Sequence, residues 1–110
     1  MTPRLDAPVA AHLSTDQLER LCGLLADEHT AQRARALEFQ DPVDLEPDLA
    51  GVLLERCNEA IEEIEAALIR VGTGSYGLCL ACGNAIPYER LEIVPAADRC
   101  VACQADRDIR

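Results

Sequence analysis

Two Cys-x-x-Cys pairs, Cys79-Leu80-Ala81-Cys82 and Cys100-Val101-Ala102-Cys103, stand 17 residues apart (83 to 99) in a 110-residue chain. The spacing is that of a four-thiolate zinc site. Two intervening residues let one tight turn aim both sulfurs at a point about 2.3 Å away, and two such turns complete a tetrahedron. Gly83, after the first pair, supplies the permissive backbone such a turn uses. Thiolate fills all four positions, which leaves no place for water or substrate, so one structural Zn2+ per chain is expected; iron is the chemical alternative in an all-sulfur set. A metal hydrolase or deaminase is excluded by the same argument.

The setting favours metal over disulfides. The N-terminus lacks the basic, apolar, small-residue order of a secretory signal, and no run approaches the roughly 20 apolar residues that span a bilayer. A cytoplasmic protein with reduced thiols is expected. The net charge of −10 sets a repulsive field against DNA, RNA and anionic lipid, so neither direct nucleic-acid binding nor membrane association is expected. All ten basic residues are arginine, which reads as a coding bias. No enzyme is expected, because His12 and His29 have no spacing that pairs them with a nucleophile or second ligand and read as solvated. Gly72, Gly74 and Gly77 lack the strand-to-helix context of a phosphate-binding loop.

Ahead of the cysteine pairs the chain is helical. Residues 1–13 read as a flexible arm, after which Ser14-Thr15-Asp16-Gln17 fits a capping box. Leu18, Leu21, Cys22 and Leu25 recur at helical spacing, and the pattern continues more weakly through Ala31, Ala34, Leu37 and Phe39. Asp41-Pro42 ends this helix by about residue 40. A second run carries a heptad seam, Ala50, Leu53, Cys57, Ala60, Ile64, Ala67 and Val71, widened by Leu54, Ile61 and Leu68 and stopped near Gly72. Two amphipathic helices of about 23 to 25 residues joined by a short turn must pack antiparallel to bury their stripes, each reaching roughly 35 Å. With Phe39, Tyr76 and Tyr88 as the only rings, the core falls to aliphatic side chains, which suits a helical hairpin. The expected fold is mainly α: an antiparallel two-helix coiled-coil hairpin over 14–73, then a small four-cysteine zinc-finger module over 74–110 with a short C-terminal helix.

Cys22 and Cys57 fall on the inner stripes of opposite arms. Antiparallel packing about residue 43 offsets them by about seven residues, roughly 10 Å, beyond the ~7 Å a disulfide tolerates between α-carbons. They read as small buried hydrophobes.

Charge is concentrated on the turn and second arm, where residues 41–65 hold nine acids against Arg56 alone, a net of −8. Residues 74–110 hold five acids and four arginines. Asp44 is a candidate cap for the second helix, with Pro47 tolerated in its first turn. Capping needs one or two carboxylates, and the tip over 41–48 carries Asp41, Asp44, Glu46 and Asp48. The surplus points to a partner that offers basic residues or a divalent cation.

The stretch Gly74-Ser75-Tyr76-Gly77-Leu78-Cys79, then Cys82-Gly83, Ile86, Arg90-Leu91, Pro95 and Cys100-Val101-Ala102-Cys103-Gln104, resembles the zinc-finger signature of the DksA/TraR family of bacterial transcription factors. The signature covers about 30 residues, and the preceding hairpin agrees with that family's coiled coil. The resemblance implies a monomeric regulator that binds RNA polymerase directly, with no DNA contact. Its coiled coil would enter the secondary channel and its zinc module would dock at the rim, with ppGpp at the polymerase interface a further expected ligand. The family's tip, Asp-x-x-Asp-x-Ala, carries over at Asp41 and Asp44, whereas Glu46 takes the alanine's place. Two alternatives stand beside this reading: a Gre-like factor whose Asp41, Asp44 and Glu46 lend ligands to a second magnesium ion and stimulate transcript cleavage, and an adaptor for a stress or ribosome-associated protein.

Overall fold

A computed structural model describes residues 12–41 and 43–109 of the chain. The expected arm over 1–13 lies outside the described residues as far as residue 11, as does residue 42 in the tip. Four helices follow in order: α1 (Thr15–Gln40), α2 (Pro47–Thr73), α3 (Tyr88–Ile93) and α4 (Val101–Ile109). The chain is mainly α. Among the described residues the only extended pairing outside the helices is an antiparallel bridge between Leu78 and Ala85.

α1 starts where the capping box places it. The Ser14 hydroxyl accepts from the Gln17 N–H at 3.0 Å, and the Ser14 N–H donates to Gln17 Oε1 at 2.9 Å. α2 starts differently from the expectation. Its N-cap is Glu46, without any side-chain cap bond, and Asp44 caps nothing, because Pro47 occupies the first helical position. Proline supplies no N–H there, so one orphan donor is already absent. The stop also moves, from Gly72 to Gly74. Gly72 continues the helix, whereas Gly74 turns left-handed (φ 87°) and the N–H groups of Gly74, Ser75 and Tyr76 all converge on the Arg70 carbonyl. At 26 and 27 residues the arms are slightly longer than the sequence implies, and the molecule's longest dimension is 53 Å.

The two long helices pack antiparallel, and every α2 seam position from Ala50 to Val71 is buried or half-buried. α1 departs from its expected stripe in the distal half. Leu37 is 68% exposed and Ala34 is exposed, while Ala36 is buried. Beyond Leu21 and Leu25 the seam passes through His29, Gln32, Ala36 and Phe39, steps of four and three that carry polar side chains mid-arm. His29, read as solvated, donates from Nε2 to Glu65 across the hairpin at 3.0 Å. Cys22 and Cys57 are both free thiols; Cys57 is buried as expected, whereas Cys22 is only half-buried, and burial, and then Glu19, push its thiol up.

One core joins the hairpin base to the cysteine-bearing segment. Leu21 and Leu25 of α1 and Ile64 and Ala67 of α2 pack with Tyr76, Cys79, Ile86, Leu91 and Ala97. Tyr76 is 1% exposed and donates its hydroxyl to the Pro95 carbonyl at 2.7 Å. Burial pushes that phenol up to about 12, with Cys22 adding and Arg70 subtracting, so it stays a neutral donor. An exposed Arg20–Glu92 pair at 3.2 Å ties α1 to α3.

Two N-terminal side chains are held against this base. His12, also read as solvated, donates from Nε2 to the Ile86 carbonyl at 2.8 Å. Gly77 permits the approach: its φ is 88°, and a Cβ there would meet Leu13 Cδ1 at 3.2 Å and His12 Cε1 at 3.3 Å. Left-handed backbone costs an L-residue about 1–2 kcal/mol. Gly77→Ala is therefore expected to lower the stability of the zinc-loaded protein by about that amount, read as a lower urea midpoint at an unchanged slope.

Candidate metal centre and acidic tip

The four cysteine sulfurs lie within 4.8 Å of one another. A tetrahedron with 2.3 Å arms has edges of about 3.8 Å, and Cys82 Sγ stands 3.8 Å from Cys100 Sγ. The first pair sits on a tight turn, where the Cys79 N–H donates to the Asn84 carbonyl at 2.8 Å and the Gly83 N–H to the Cys79 carbonyl at 2.9 Å. Gly83 adopts φ 80°, the backbone its position implied. The second pair opens α4, with the Gln104 N–H on the Cys100 carbonyl. Leu80 N–H reaches the Asp98 carbonyl at 2.8 Å and locks the two halves together. Cys79 is buried at 3% exposure, whereas Cys82 faces solvent.

The electrostatics favour a cation at the centre. Burial opposes ionisation of Cys79, but the backbone N–H groups of Cys100, Cys82 and Ala81 and the Cys82 thiol overcome it and bring this thiol down to about 6. The protons of Cys103 and Cys82 are held harder. Hydrogen bonds with Cys100, Cys82 and Cys79 push Cys103 up to about 12. At Cys82 the Asn84 backbone favours the thiolate, yet the Cys79 sulfur and burial outweigh it and the thiol is raised. Like charges 4 Å apart repel by about 4 kcal/mol at an effective dielectric of 20. Four thiolates in this space therefore require a dication, and the all-sulfur, closed set fits Zn2+ in a structural role.

With that geometry in place, the comparisons with known proteins fall into line. The profile described as "Prokaryotic dksA/traR C4-type zinc finger" matches residues 74–108. The RNA polymerase-binding transcription factor DksA of Escherichia coli is 33% identical over 100 residues, covering 86% of this chain. Residues 74–108 thus form a zinc finger of the DksA/TraR type, and the chain as a whole is similar to DksA. The solved structure of transcription factor DksA2 from Pseudomonas aeruginosa superposes with a TM-score of 0.68 at 28% identity, covering 94% of this chain and 92% of that one. General stress protein 16O of Bacillus subtilis is 50% identical over 48 residues, 44% of this chain and 29% of its own length. The chain spans 62% of the E. coli DksA sequence. The matched segment contains all four cysteines, the set that would hold one structural zinc ion.

At the opposite end of the hairpin, Asp41, Asp44 and Glu46 are all exposed. The sequence reading missed what stands beside them: Leu37, Val43 (93% exposed), Leu49 and Val52 are exposed too. The tip is thus a mixed acidic and apolar surface, which suits a protein better than a bare cation. The signal was present in Val43 and Val52, but only burial separates an exposed aliphatic from a core one.

A second feature was not legible in the sequence. Arg70, Arg90, Arg99 and Arg107 line an open depression of about 720 Å³ beside α2, faced by Glu59, Glu62 and Glu63. Nε and Nη2 of Arg70 are buried without a hydrogen-bond partner among the described residues. These four arginines are spread over 38 positions of sequence (70 to 107) and converge only through the fold.

Proposed function

We propose that this protein is a bacterial transcription regulator that binds RNA polymerase directly through the secondary channel. The observation that carries the reading is the similarity to RNA polymerase-binding DksA across both the hairpin and the zinc module. Cys79, Cys82, Cys100 and Cys103 hold the zinc that fixes the base, and the base docks at the channel rim. The acidic tip, with Asp41, Asp44 and Glu46, reaches toward the active site along helices of 26 and 27 residues, about 40 Å. The protein acts as a cytoplasmic monomer and by binding energy alone, altering the lifetime of promoter complexes without contacting DNA. The arginine-lined depression is where the chain offers chemistry for ppGpp at the polymerase interface, although three glutamates face it.

Binding to polymerase core, repeated with a secondary-channel blocker as competitor, tests the reading. The wild-type chain is expected to bind and to be displaced. Asp44→Asn removes a charge from an exposed residue and is expected to keep zinc content and affinity while losing the effect on promoter-complex lifetime; full activity in that variant would sink the tip assignment. Stimulated cleavage of backtracked transcripts would instead favour the Gre-like role, and absence of polymerase binding would favour an adaptor.

A further inference from the structure

A second, smaller depression, about 280 Å³, lies between the hairpin and the turn that follows α3. Its floor is Leu25, Ala60 and Ile64, and its far wall is Val94 with Pro95. At the mouth Ile93 is 81% exposed and Val94 41% exposed, so the apolar surface continues outward from the groove. Isolated aliphatics on a surface need no explanation, but a contiguous apolar patch with a polar rim marks an interaction site. Here the rim is Glu28 from α1 and Glu63 from α2, and no basic side chain lines the groove. The volume falls just below the ~300 Å³ from which small-molecule sites start, and suits one or two side chains of a protein.

We propose that this groove is the docking seat for a partner-protein segment that inserts an apolar side chain and flanks it with lysine or arginine. The proposal rests on the polymerase reading above and names the surface at the hairpin base that makes the contact. The apolar floor supplies the burial. The two carboxylates select the sign of the flanking charge and speed encounter at low salt, as rim charges do. They also exclude an acidic segment, because a carboxylate brought between Glu28 and Glu63 would be left without a counter-charge. Ile93 covers the inserted side chain from the solvent side, in the way water-excluding neighbours surround an interface hot spot.

The test measures affinity of the full-length zinc-loaded chain for purified RNA polymerase core at two salt concentrations. Ile93→Ser is expected to weaken binding about tenfold, and the pair Glu28→Lys with Glu63→Lys at least as much, with a reduced salt dependence. All three sites are exposed, so thermal melts serve as the control that the variants fold. Wild-type binding with variant affinities within twofold of it overturns the groove and leaves the polymerase reading standing. Absence of wild-type binding overturns both. Self-association of the wild-type chain in sedimentation, lost on Ile93→Ser, would assign the groove to a second copy and overturn the choice of partner.

Discussion

Cys79→Ser is expected to release zinc and to unfold far more than the knuckle that carries it. Structural zinc binding is worth about 10–16 kcal/mol in small zinc modules at neutral pH, against a total stability of about 5–15 kcal/mol for a typical domain. The consequence reaches beyond the metal because Cys79 is itself a core residue, packed in one cluster with Tyr76 and with Leu21 and Leu25 of α1. Away from that cluster the hairpin is joined by small buried residues, Ala36, Ala50 and Cys57. Loss of the base therefore removes most of what pairs α1 with α2. The expected result is a zinc content near zero, a large fall in helical circular dichroism and a broad, non-cooperative melt. A metal-free variant melting within a few degrees of wild type would show that the hairpin stands alone. Chelation is expected to reproduce the effect, and acidification to ease it, since zinc binds thiolates and must compete with protons for each sulfur.

A second large effect is expected from Leu25→Ala, set against Leu37→Ala on the same helix. Leu25 is fully buried between α1 and the core formed by Ile64 and its neighbours, whereas Leu37 is 68% exposed. Truncating a buried leucine removes its transfer free energy and leaves a cavity, together about 2–5 kcal/mol. For a domain of this size that lowers the melting temperature by roughly 8 °C or more. Leu37→Ala is expected to stay within about 0.5 kcal/mol of wild type, as surface changes do. Both leucines belong to the periodic pattern of the first arm, so the contrast in melting temperature tests the tertiary seam and not the helix. Equal losses would mean that the distal seam runs through Leu37 after all.

The zinc finger was legible because its information is local. Four cysteines in two pairs, a glycine after the first pair and the charge of a thiolate are sufficient to specify a closed tetrahedral site, and the sulfurs converge as that spacing requires. Both long helices were legible for a related reason: a capping box, an Asp-Pro stop and a heptad seam are all read within a few residues of chain. The ends of α2 were read less well. Asp44 and Gly72 have the right chemistry to cap, but Pro47 and the left-handed Gly74 decide the ends through backbone geometry that composition does not carry. α3 went unread, although Pro87 stands just before it and Pro95 just beyond it, because six residues hold too few turns for a periodic signal.

By itself, then, the sequence determined the metal site, the helical hairpin and the acidic tip, because each depends on neighbours in the chain. Tertiary structure alone decided which face of α1 is buried beyond Leu25, that His12 and His29 are bonded and not free, and that Arg70, Arg90, Arg99 and Arg107 share one depression. It also decided that the zinc-bearing segment and the hairpin base share a single core. Those outcomes depend on the rotation and register of one helix against another, and a heptad pattern interrupted by His29 and Gln32 leaves both open until side chains from distant positions meet.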